Sequence, residues 1–172
     1  MTAVSTIASG RGPYTQTHTV LAASAATGMA VTGTTNETTL ATVNIPAGLI
    51  GNNGILIITA YWTITTSGNN KTVRVRLGAA GAGLSGTAYT AIVQTTNTAF
   101  KTQCQIVNRN SQSAQFGDGG NGSGGWAPAA STWVTSSVAT SSASQLVLTG
   151  QCANSGDTIT LESYLVELVR TD

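Results

Sequence analysis

The stretch Ile55–Leu77, ILIITAYWTITTSGNNKTVRVRL, decides how the rest of the chain is read. In its second half Val73, Val75 and Leu77 point one way while, Lys71 aside, Arg74 and Arg76 point the other. A period of two is that of a β-strand with one wet face. The first half, Ile55–Thr66, is apolar on both faces at its start, as a central strand covered on both sides would be. Between them Ser67-Gly68-Asn69-Asn70 reads as a four-residue hairpin loop.

Working outward, the same signals recur at short intervals. Upstream, Glu37–Ile45 sets Ala41, Val43 and Ile45 on one face, then turns at Pro46-Ala47-Gly48 and again at Gly51-Asn52-Asn53-Gly54. Downstream, a Gly/Ala loop over Gly78–Gly86 leads to strands expected at Thr87–Thr96 and Phe100–Asn108. Gly117–Gly125 (GDGGNGSGG) is too glycine-rich for regular structure and reads as a long surface loop. Strands follow at Thr132–Val138, Gln145–Cys152 and Thr158–Val169. In the last of these Ile159, Leu161 and Leu165 share a face opposite Tyr164, Val166 and Leu168. One face serves the core, and the other is too apolar for water, which marks it as a subunit contact. Short strands with turn signals about every ten residues, and no long helix, predict an antiparallel β-sandwich, jelly-roll-like, over residues 31–172. Residues 1–30 show no sustained period and read as an extended N-terminal arm that orders on a partner.

Composition agrees. The chain holds 30 Thr, 16 Ser and 20 Gly, residues of pleated strands and tight turns. Only 8% of residues are charged and the net charge is +1, which gives no electrostatic reason to expect nucleic acid or an anionic membrane as partner. Met1–Gly10 lacks the basic and apolar regions of a secretory signal, so synthesis in a cytoplasm is expected.

The residues that carry chemistry are few. His18, the single histidine, falls in the arm, so no Ser-His-Asp or Cys-His arrangement is expected. Glu162 and Glu167, five apart on a strand, face opposite ways and make no glycosidase pair. Neither glycine cluster opens a helix that would bind phosphate. No catalytic residue, metal site or cofactor is expected, and no enzyme. Arg74 and Arg76 are candidates for a subunit interface with Tyr164, Val166 and Leu168, with Glu162 or Glu167 as the partner carboxylate. Cys104 and Cys152, in separate strands, are two buried thiols or one disulfide. Trp126 and Trp133 are loop anchors or a glycan-stacking pair.

Three phrases, TNETTLATVNIPAG, GILIITAYW and NNKTVRVRLG, lie within Thr35–Gly78, and LTGQCANSGDTITLESYLVEL spans Leu148–Leu168. Together they resemble a family of small jelly-roll structural proteins of tailed bacteriophages. The resemblance covers most of the chain after the arm. It implies a homotrimer on the virion, most simply a capsid decoration or cement protein bound to the major capsid protein through its arm, and it implies no enzyme. A tail or head fibre receptor-binding tip, and a carbohydrate-binding module, are the alternatives.

Overall fold

The computed structural model describes residues 3–8, 13–24, 28–118 and 133–171. Among these residues the chain forms β1 (Ala3–Ala8), β2 (Pro13–Ser24), β3 (Met29–Val31), β4 (Thr38–Ile45), β5 (Ile55–Ile64), β6 (Lys71–Ala79), β7 (Thr87–Gln94), β8 (Ala99–Asn108), β9 (Gln115–Gly117), β10 (Val134–Ser136), β11 (Ser144–Cys152) and β12 (Ile159–Thr171). The large sheet runs β1-β2-β12-β5-β8-β9-β10, with β3 also paired to β12, and the small sheet runs β4-β11-β6-β7. Every pairing is antiparallel.

Both halves of Ile55–Leu77 are strands, yet they do not pair. β5 lies in the large sheet and β6 in the small one, so Ser67–Asn70 is an arch between sheets where a hairpin loop was expected. The two strands bury their apolar faces against each other across the sandwich: Leu56, Ile58, Ala60 and Trp62 from one, Val73, Val75 and Leu77 from the other. Alternation fixes which face is buried but not which strand lies beside it. Taking β2 and β3 as one interrupted strand, β2-β12-β5-β8 faces β4-β11-β6-β7. That order, with the chain passing back and forth between sheets, is the eight-stranded winding of a jelly roll.

The arm expected over residues 1–30 takes a different form. β2 pairs along β12 from Ser24 opposite Tyr164 to Gln16 opposite Thr171, and β3 continues the ladder with Val31 opposite Ile159. The segment gives little sign of this in sequence because Thr15, Thr17 and Thr19 offer no apolar contrast. A register shift opposite Val166/Glu167 then puts Leu21 and Ala22, adjacent residues, both against the core.

Several polar side chains inside the sandwich are paired, although the buried hydroxyls of Thr90 and Ser144 have no hydrogen-bond partner among the described residues. The Trp62 indole donates to Thr102 Oγ1 at 2.9 Å. At the β8–β9–β10 end, Asn108 Nδ2 donates to the Gly51 carbonyl (2.6 Å) and Thr140 Oγ1 (3.0 Å), and Gln115 Nε2 donates to Asn108 Oδ1 at 3.0 Å. Gln115 Oε1 accepts from Ser136 Oγ and the Val138 amide, both at 2.9 Å, and Ser136 is also hydrogen-bonded to the Tyr89 hydroxyl. A fully connected buried network of this kind rigidifies the elements it joins.

Candidate interaction surface

The last strand supplies the decisive geometry. Ile159 and Leu161 face the core, and the pairing with β5 then shifts register between Leu161 and Ser163. A bulge of one residue reverses the facing of everything after it. Val166 and Leu168 therefore join the core, 0% and 2% exposed, and Tyr164 packs partly against it. The expectation that Tyr164, Val166 and Leu168 form a subunit contact is corrected: they share the inner face with Ile159 and Leu161. The outer positions are Leu165, Glu167 and Val169.

Registers across the large sheet show what those positions join. One row reads His18, Val169, Ile55, Val107, Phe116, Thr135 from β2 through β10. The next reads Val20, Glu167, Ile57, Gln105, and a third reads Ala23, Leu165, Thr59, Gln103. Ile55, Ile57, Val107, Leu165 and Val169 are partly exposed, and Val20 is 57% exposed. An apolar stripe thus runs over β2, β12, β5 and β8 on the side away from the small sheet. It explains why β5 is apolar on both faces at its start, although only one face is covered. The stripe carries one polar side-chain contact, His18 Nε2 at 2.9 Å from Glu167 Oε1.

The small sheet's outer face is its opposite in character, with Thr39, Thr42, Asn44, Thr72, Gln145 and Gln151 at outward positions. Arg74 and Arg76 lie here, but their partner is within the same chain. Arg76 Nε and Nη2 each donate to a Glu37 carboxylate oxygen at 2.8 Å, and Arg74 Nη1 lies 3.5 Å from Glu37 Oε2. Thr149, wholly buried, donates its hydroxyl to the same carboxylate. Burial alone would push Glu37 up, but the Arg76 and Thr149 hydrogen bonds and the two guanidinium charges outweigh it and hold the carboxyl below its usual range. The expected pairing with Glu162 or Glu167 across an interface is replaced by this clasp. Glu162 instead accepts from Thr63 Oγ1.

A second ion pair was missed in sequence, where Lys71 reads as the polar start of a strand. Its side chain is fully buried, with Nζ 2.7 Å from Ser67 Oγ and 3.7 Å from Asp157 Oδ2. Ser67 donates to Asp157 at 3.0 Å. A Ser/Lys pair suggests nucleophilic chemistry, but an amine with no exposed surface cannot reach a substrate, and the hydroxyl proton is engaged by Asp157. The trio clamps the 65–70 arch to the 153–158 turn.

Cys104 and Cys152 are free, buried thiols on different sheets. Burial pushes the Cys104 thiol up to about 12, far from the thiolate a reactive cysteine needs. Trp126 lies outside the described residues. Trp133 is 67% exposed, its ring edge-on to Phe116 with centroids 5.5 Å apart. Among the described residues no three His, Cys, Asp or Glu side chains converge as metal ligands.

No family model matches the chain, and no curated protein matches it. An alginate lyase from Alteromonas sp.272 aligns over 76% of this chain and 79% of its own, at 10% identity and a TM-score of 0.36. A structure of infectious bursal disease virus, Gt strain, aligns over 96% of this chain at 12% identity and a TM-score of 0.32. A crystal structure of that virus's VP2 subviral particle aligns over 95% of it at 12% identity and a TM-score of 0.21. The chain spans 46% of the length of each of these two viral chains.

Proposed function

We propose that the chain is a structural protein of a bacteriophage virion, a capsid decoration protein that forms a homotrimer through the outer face of its large sheet. The observation that carries this reading is the contrast between the two outer faces. One is hydroxyl- and amide-bearing and suits water. The other sets Val20, Ile55, Ile57, Val107, Leu165 and Val169 side by side, and contiguous apolar surface of that kind is characteristic of an interface. Nothing in the charge distribution points to nucleic acid, since the guanidinium pair is already occupied by Glu37. The resemblance of its sequence phrases to phage structural proteins supports the placement on a virion.

β1 borders the large sheet, and an edge strand offers unpaired backbone groups to a neighbouring chain. In this reading that edge meets the major capsid protein. Sedimentation of the full chain with capsids assembled without it tests the proposal. Saturable co-sedimentation, weakened by deletion of residues 1–12, is the expected result. A chain that stays in the supernatant at micromolar concentration contradicts it.

A further inference from the structure

We infer that the β8–β9–β10 end of the large sheet's outer face is a binding platform for a neutral saccharide, with the Trp133 indole as its stacking surface. Trp133 is the most exposed large apolar side chain among the described residues, at 67%. It is also a positioned one. Phe116 points outward from β9, and the two rings meet at 70° with centroids 5.5 Å apart, a T-shaped contact that positions the indole while most of its surface stays exposed. The Arg109 guanidinium carbon lies 5.6 Å from the Phe116 centroid, over the ring, and adds a cation–π contact to the same cluster.

The mounting is rigid. Gln115 and Gly117, the neighbours of Phe116, are both buried, and Gln115 is the hub of the network linking Asn108, Ser136 and the Val138 amide. β9 sits close against β8 because residue 117 has no side chain: a Cβ there would lie 2.4 Å from the Gln105 carbonyl oxygen. A platform fixed in this way needs little ordering when a ligand arrives.

Its rim has the functional groups that sugar hydroxyls require. The Asp118 amide donates to the Gln105 carbonyl at 3.4 Å and its carboxylate accepts the Gln105 amide at 3.3 Å, which sets Gln105, Asp118 and Trp133 in one row across three strands. Gln103 and Gln105 are exposed on the same face of β8. One aromatic face surrounded by amides, a carboxylate and a guanidinium matches the mixture of apolar contact and directed hydrogen bonds found in small-molecule sites. Around the indole one carboxylate, Asp118, balances one guanidinium, Arg109, while Lys101 on the same face of β8 is turned to the Tyr61 ring, and this balance favours a neutral ligand. The platform lies at the β9–β10 edge of the face whose apolar stripe runs over β2, β12, β5 and β8, and saccharide binding by the single protomer does not depend on the trimer.

The test uses the full chain on an array of neutral glucose-, galactose- and mannose-containing oligosaccharides, followed by calorimetric titration of any hit. A specific neutral oligosaccharide is expected to bind. Trp133→Ala should weaken it at least tenfold and Gln105→Ala severalfold, with thermal melting of both variants unchanged because these side chains are exposed. Absence of binding at millimolar oligosaccharide overturns the inference, as does affinity unaltered in Trp133→Ala, or binding confined to acidic glycans. Capture of a protein partner that depends on Trp133, without any saccharide binding, overturns it equally.

Discussion

Glu37 is held by Arg74, Arg76 and Thr149 at once, so one carboxylate organises the outer face of the small sheet. Glu37→Gln removes the charge that two guanidiniums share and should cost about 1–2 kcal/mol, the range for charge-assisted hydrogen bonds partly open to solvent. Because its folded pKa is lowered, the stabilisation is present above the ordinary value of 4.5 and is lost as pH falls through the lowered folded value. Acid unfolding of the wild type and of Glu37→Gln should therefore converge below that range, as read by circular dichroism. At the buried Lys71–Asp157 pair, Lys71→Met leaves a carboxylate without its cation and should destabilise more than the double variant Lys71→Met/Asp157→Leu, measured by urea midpoint. Neither carboxylate partnership was legible in sequence. Residue spacing shows which side of a strand Arg76 occupies, but Glu37 is 39 positions away and reaches it only through the fold.

β12 shows how far periodicity reaches. Its strand character was plain, yet a bulge after Leu161 moved three residues to the other face, and a bulge leaves no mark in an apolar run. Deleting Glu162 removes the extra residue and leaves a regular strand in which Val166 and Leu168 still follow Leu161 on the core face, so that variant should fold; inserting one alanine after Ser163 should turn Val166 and Leu168 toward solvent and leave no soluble folded protein. The correction also separates neighbouring leucines. Leu168→Ala should cost about 2–5 kcal/mol as a core truncation, and Leu165→Ala less than about 1 kcal/mol in the isolated protomer. Thermal and urea melts of the pair distinguish the two faces. The strands β4, β6, β8 and β11 fell close to where they were expected, because each alternates a mainly apolar face with a more polar one. β2 did not, since threonine and alanine on both faces leave nothing to alternate. The arch between β5 and β6 was misread for a related reason: its residues are those of a hairpin, and sheet membership is decided by distant partners.

For the whole molecule the sandwich class followed from composition and turn spacing, while the strand order that makes it a jelly roll came only with the pairings. The candidate surface was half legible. The doubly apolar start of β5 announced it, but its other members, Val20, Val107 and Val169, become neighbours only through register. Burial of that stripe between copies is the central claim, and light scattering of the full chain at micromolar concentration tests it most directly. Val20→Lys serves as the comparison, because the new amine faces Glu167 across the strand pair and leaves the protomer folded. The account predicts a trimer for the wild type and a monomer with an unchanged circular dichroism spectrum for the variant. A wild-type monomer, or a Val20→Lys trimer of undiminished stability, would contradict it.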